Sequence, residues 1–137
     1  MKLLLTSAGI KNPSIRNAML DLLGKPIEEC DALAIPTASC AHQVGLSGGS
    51  MVMTPRIGED FKQWDPPGGG DETLGVVGFS IFPHLARDGM PGNSMAEAEA
   101  WFAGMDVPAY AIDDDTAIVW VDGAVEVVSE GHWKLFT

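Results

Sequence analysis

Short apolar runs and helically spaced apolar residues alternate along the first part of the chain. Residues 2–6, Lys2-Leu3-Leu4-Leu5-Thr6, form an apolar run that reads as a buried first strand. After the loop Ser7-Ala8-Gly9-Ile10, Asn12 is placed to cap a helix with Pro13 at its first position. Ile15, Ala18, Met19, Leu22 and Leu23 repeat at helical spacing and define its apolar face. Gly24 ends the helix and Pro26 prevents its continuation. Residues 32–35 read as a second short buried strand closed by Pro36. Two strands flanking an amphipathic helix make a βαβ unit, so the first pairing is expected to be parallel. A third strand is expected at about 43–46. The stretch 36–42 that precedes it is too short for a helical crossover, which needs roughly a dozen residues or more.

Beyond that point the pattern predicts a short helix over 51–57, interrupted by Pro55, and a loop over 58–72. That loop includes Gly68-Gly69-Gly70, which lacks the Lys-Ser/Thr and the helix of a phosphate cradle and reads as flexible. Residues 74–82 read as a strand running into Pro83-His84. Asn93 or Ser94 caps a helix with Glu97 in its first turn; Met95, Ala98, Trp101 and Phe102 form its buried stripe, and Gly104 stops it. The tail is β-rich, with strands expected at 109–112, 117–121 and 125–129 and a final edge strand at 133–136. Asp122-Gly123 is a two-residue hairpin signal. The fold class that follows is α/β, a mostly parallel sheet flanked by helices with a C-terminal β-hairpin region, in a single domain over 1–137.

Composition narrows the function classes. With 137 residues, 46% hydrophobic and 20% charged, the chain suits one ordinary globular domain. Nineteen acidic against eight basic side chains give a net charge of −11, which argues against nucleic acid and anionic membrane surfaces as partners. The N-terminal apolar run is too short for a signal-peptide core and no stretch is long enough to span a bilayer, so a cytoplasmic location is expected. Cys30 and Cys40 match no zinc spacing, and a cytosolic setting disfavours their pairing. No metal or organic cofactor is implied.

The candidate chemistry centres on Gly45-Leu46-Ser47-Gly48-Gly49, which fits the G-x-S-x-G nucleophile elbow. A serine on a strained strand-to-helix turn needs small residues two before and two after it. The N–H of Gly48 is then a candidate oxyanion donor. Serine is a poor nucleophile until a base takes its proton. Among the three histidines, His84 stands just past the end of a buried strand, where α/β sheets bind ligands. His42 and His132 are the alternatives. The base in turn needs a carboxylate to fix its tautomer. The run Asp113-Asp114-Asp115 between two strands is one source, and Asp60 and Asp88 are others.

Val44-Gly45-Leu46-Ser47-Gly48-Gly49-Ser50-Met51 resembles the nucleophile segment of peptidase E, the aspartyl dipeptidase group of serine peptidases with a class I glutamine-amidotransferase-like fold. Phe82-Pro83-His84-Leu85 resembles the family segment that carries the base, and Asp114 aligns with the acidic triad member, often Glu in the family. The resemblance covers 1–37 and 43–137. Gly48 stands where the family usually has Ala, and the family's middle portion is missing between Thr37 and Val44. What the resemblance implies is a catalytic set Ser47, His84 and Asp114, and hydrolysis of dipeptides with N-terminal Asp through an acyl-enzyme. A substrate carboxylate calls for an Arg fork, and Arg56 and Arg87 are the candidates, with Arg16 on the polar side of the first helix. A glutaminase is disfavoured because that branch has Cys where Ser47 stands.

The missing middle portion carries the family's second oxyanion donor, and no residue here matches it. The alternative function is therefore a catalytically impaired, non-enzymatic binding or assembly protein of the same fold; a general serine esterase is a third reading. The same gap removes sheet neighbours and covering helices, so a homodimer or higher homo-oligomer is expected. A small peptide is the expected substrate.

Overall fold

The computed structural model describes residues 1–32, 47–62 and 67–137, with Ser47 described in its backbone only. The strands expected at 32–35 and 43–46 thus lie essentially outside the described residues, as do His42 and Cys40. The described elements are β1 (Lys2–Thr6), α1 (Pro13–Leu23), α2 (Ser47–Met51), β2 (Ser80–Phe82), α3 (Met95–Phe102), β3 (Ala109–Ile112), β4 (Thr116–Val121), β5 (Ala124–Ser129) and β6 (Trp133–Phe136). They form two three-stranded sheets, ordered β1-β4-β5 and β2-β3-β6. The class is α/β, with one antiparallel and one mixed sheet.

The expected predominance of parallel pairing is not what the described strands show. β1 pairs with β4, β4 with β5 and β3 with β6, all antiparallel; β2–β3 is the parallel pair. Loop length accounts for two of these. Asp122 (φ +48°) and Gly123 (φ +98°) make the two-residue reversal that forces β4 and β5 antiparallel. Residues 83–108, containing α3, are long enough for the crossover that a parallel β2–β3 pair requires.

α1 forms for local reasons. The Asn12 side chain accepts from Ile15 N–H at 2.9 Å, Pro13 occupies the first turn, and Gly24 at φ +67° donates to Leu20 C=O at 2.9 Å. Ile15 is fully buried, Ala18, Met19 and Leu22 are half-buried, and Leu23 is exposed. The Glu130 carboxylate also accepts from Ser14 N–H at 2.9 Å. Hydrogen bonding by the Ser14 side chain and backbone holds the Glu130 carboxyl below its ordinary range. Since the folded-state value is the depressed one, this contribution is complete above the unfolded-state value of about 4.3 and is lost as pH falls through the folded value. Glu130→Gln is expected to lower Tm slightly at neutral pH, and thermal melts of variant and parent should converge in acid.

Three other elements differ from the pattern. The helix expected over 51–57 is instead Ser47–Met51, because Thr54 Oγ1 bonds Met51 C=O (2.7 Å) and Arg56 C=O (2.9 Å) and turns the chain. The strand expected over 74–82 is confined to Ser80–Phe82. Its first part donates back to the turn after α2, with Leu74 N–H to Val52 C=O (3.1 Å), Gly75 N–H to Thr54 C=O (2.8 Å) and Val76 N–H to Met53 C=O (2.9 Å). α3 is capped by Ser94, whose Oγ accepts from Glu97 N–H, whereas Asn93 Nδ2 donates to Pro83 C=O at 2.8 Å.

The core has two parts, on opposite faces of β2–β3. Phe82, Ala109 and Ala111 pack with Leu85, Ala98, Trp101 and Phe136. Ile81 and Ile112 pack with Leu5, Val77, Phe79 and Ile118. Alternation along β2 thus sends Phe82 towards α3 and Ile81 towards β1 and β4, as expected of strands covered on both faces. Trp101 anchors the first part. Its ring meets Phe82 edge-on at 5.5 Å and its Nε1 donates to Ile57 C=O at 3.0 Å.

Candidate active site

The C-terminal ends of β1, β2 and β3 are tied together by one buried hydroxyl. Ser7, immediately after β1, donates from Oγ to Ile112 C=O (3.1 Å) at the end of β3 and accepts from His84 N–H (2.8 Å) just beyond β2. Leu85 N–H also donates to Ile112 C=O, at 3.0 Å. His84 follows Pro83 with φ +55°, a left-handed backbone uncommon for a residue with a Cβ, and its side chain is buried. Asp114 lies two residues past β3. Its Oδ1 is 2.6 Å from His84 Nδ1. Two bare acceptors would repel at that distance, so a proton lies between them: with Asp114 ionised, Nδ1–H is the donor, and in the neutral imidazole the lone pair is then on Nε2.

One further group braces this pair. Arg87 Nη1 lies 3.4 Å from Asp114 Oδ2 and 3.2 Å from His84 Nδ1. Because Nδ1 already holds a proton, the guanidinium is directed at the carboxylate. Asp113 is committed to its own turn, accepting from Asp115 N–H (3.1 Å), Thr116 Oγ1 (2.7 Å) and His132 N–H. A cleft of about 210 Å³ opens beside Arg87, Asp114 and His132. A larger open groove of about 530 Å³ runs between α1 and the β4–β5 hairpin and includes none of the candidate residues.

Ser47 opens α2, and Gly48 is the second residue of that helix. α2 is fixed to the end of β1 through Ser50, whose Oγ accepts from Thr6 N–H (2.8 Å) and donates to Thr6 C=O (2.9 Å). The Ser47 side chain lies outside the described residues.

The remaining candidates are placed as follows. Arg56 donates from Nε to Asp71 Oδ1 (2.9 Å) and from Nη1 to Asp106 Oδ1 (3.3 Å). Those hydrogen bonds, Asp71 first, raise its pKa above the usual arginine value and commit it to an ion-pair network. Arg87 is the one of the two that touches the His84–Asp114 pair. His132 is almost fully exposed, with Nδ1 3.7 Å from Asp113 Oδ2. Asp60, Asp88 and Arg16 are exposed. Cys30 is half-buried, and its Sγ donates to Pro26 C=O. Among the described residues, no three His, Cys, Asp or Glu side chains form a group that could hold a metal ion. No described helix is long and apolar enough to cross a membrane.

Sequence reasoning gave no role to Ser7 or Ser50. The one available signal was weak: Ser7 directly follows a buried strand, at the sheet end where α/β proteins gather their polar groups. No protein-family model matches the chain, and no curated protein or solved structure matches it at a significant level.

Proposed function

We propose that the chain is a cytoplasmic serine hydrolase of peptidase E type, with a class I glutamine-amidotransferase-like fold shortened in its middle, that cleaves dipeptides with N-terminal Asp. The observation that carries this reading is the 2.6 Å contact of His84 Nδ1 with Asp114, at strand ends that also receive α2. In the proposed reaction Ser47 Oγ attacks the peptide carbonyl while His84 Nε2 takes its proton. Asp114 stabilises the resulting imidazolium. The Gly48 N–H donates to the oxyanion. The tetrahedral intermediate collapses as His84 returns the proton to the leaving amine. Water, deprotonated by the same imidazole, then releases the aspartyl group. Of the two candidates for the substrate carboxylate, Arg56 is held by Asp71 and Asp106, whereas Arg87 faces the single carboxylate of Asp114 at 3.4 Å and is the one proposed.

A panel of Asp-X dipeptides tests the assignment. Ser47→Ala is expected to abolish hydrolysis, while His42→Ala and His132→Ala retain most of it. Equal loss in all three variants would mean that the base lies elsewhere. No hydrolysis by the parent would favour the alternative, a non-enzymatic assembly protein, to which the missing second oxyanion donor points.

The chain is also proposed to form a homodimer or higher homo-oligomer. β6 exposes Trp133 and Leu135, and β5 exposes Val125, apolar side chains on outer strands of the two described sheets. Sedimentation at micromolar concentration is expected to give a mass of at least two chains; a clean monomer would rule this out.

A further inference from the structure

The dipeptide Thr6-Ser7 at the end of β1 touches both halves of the proposed site. Thr6 gives its N–H and its C=O to a single side chain, Ser50 Oγ, at 2.8 and 2.9 Å. Ser50 lies three residues after Ser47, in the same helix. Ser7 uses its one hydroxyl proton on Ile112 C=O and a lone pair on His84 N–H. Ile112 stands two residues before Asp114, and Leu85 N–H shares its carbonyl. All three hydroxyl-bearing residues are buried, Ser7 completely.

Burying a hydroxyl is unfavourable unless its hydrogen-bonding capacity is used. Alanine would fill nearly the same volume at position 7 without that requirement. What the hydroxyl adds is a fixed geometry among three strand ends. His84 needs such a hold, because its left-handed backbone is sparsely populated and persists only where its surroundings over-determine it. Ser50 does the corresponding job for α2.

We propose that Ser7 and Ser50 are positioning residues: through Thr6-Ser7 they set the separation between the helix that begins at Ser47 and the His84–Asp114 pair. The proposal rests on the serine-hydrolase reading. It makes no use of contact between either serine and substrate; both act through the backbone to which the reacting groups are attached.

The test combines kinetics with proton NMR of the His84 Nδ1–H in its bond to Asp114, assigned by its loss in His84→Gln. Ser7→Ala is expected to shift or broaden that resonance and to lower kcat about 100-fold with KM unchanged, the cost of a displacement of roughly 1 Å at the reacting groups. Ser7→Thr keeps the hydroxyl and is expected to restore the resonance and most of kcat. Ser50→Ala is expected to slow acylation of Ser47 by a fluorophosphonate while leaving the His84 resonance in place, since it acts on the other half. A purely structural role would lower Tm and leave the resonance and kcat of the folded protein as in the parent; that result for Ser7→Ala overturns the proposal. If Ser7→Ala fails to fold, a parental acylation rate in Ser50→Ala, or loss of the resonance in folded Ser7→Thr, overturns it instead. A parent that is never acylated would defeat the hydrolase reading. The response of the resonance to Ser7→Ala and Ser7→Thr would still decide whether Ser7 positions His84.

Discussion

Asp114→Asn is expected to lower kcat for Asp-X dipeptides about 10,000-fold while leaving the fold intact. The reason is the tautomer, not the loss of packing. In the parent, Asp114 Oδ1 lies 2.6 Å from His84 Nδ1 and favours the tautomer with the proton on that nitrogen, which in the proposed mechanism leaves the Nε2 lone pair to take the Ser47 proton. An asparagine amide oriented with its NH₂ towards the ring would donate to Nδ1 and drive the proton to Nε2, where it blocks proton uptake. Arg87 reinforces that orientation, because its guanidinium, near Asp114 Oδ2, attracts the amide oxygen. Asp114 is partly solvent-exposed, so Tm should change little. Steady-state kinetics with a melting curve check both parts. A variant that keeps kcat within about tenfold of the parent would remove Asp114 from the mechanism, since a drop near 10,000-fold is what loss of a triad aspartate produces.

Gly58→Ala is expected to destabilise the fold severely. Gly58 sits at φ +86°, ψ 145°, a conformation that is essentially restricted to glycine. Its N–H donates to Asp71 Oδ2 at 2.6 Å, and Asp71 in turn holds Arg56. A Cβ there would overlap the Trp101 indole and the Met105 methyl. Backbone strain of about 1–3 kcal/mol and overpacking of about 1–3 kcal/mol together approach a large share of a typical domain's stability of roughly 5–15 kcal/mol. Trp101 packs on Phe82, two residues before His84, so the damage also reaches the site. Thermal denaturation should show Tm falling by about 10 °C. Gly68→Ala, where an added Cβ meets nothing within 4 Å, is the control and should stay within about 0.5 kcal/mol of the parent.

What could be read in advance was what depends on neighbouring residues. Asn12-Pro13 with Gly24, Ser94 with Glu97, and Asp122-Gly123 each complete a hydrogen-bonding or dihedral requirement within a few residues, and the two helices and the hairpin are where those signals put them. The positions of His84 and Asp114 just beyond strand ends were legible for the same reason. Pairing between strands distant in sequence was not. Whether Leu3 and Leu5 face a parallel or an antiparallel neighbour leaves no mark on an apolar run, and β1 takes β4, far along the chain, as its partner. The run over 74–82 was equally ambiguous: Gly75 at φ +61° bends it onto the turn after α2 before β2 begins. Arg56 illustrates the limit for charged groups. Its sequence position suits a substrate contact, but Asp71 and Asp106, 15 and 50 positions away, take its donors. Ser7 is the extreme case, since the group that it holds lies 77 positions away.

The claim that Ser47 is a nucleophile activated by His84 is tested most directly by fluorophosphonate labelling followed by mass-spectrometric mapping of the modified peptide. The expected result is one adduct, on Ser47, formed by the parent and lost in His84→Ala. An adduct on another residue, or labelling of Ser47 that persists at the parental rate without His84, would contradict the account.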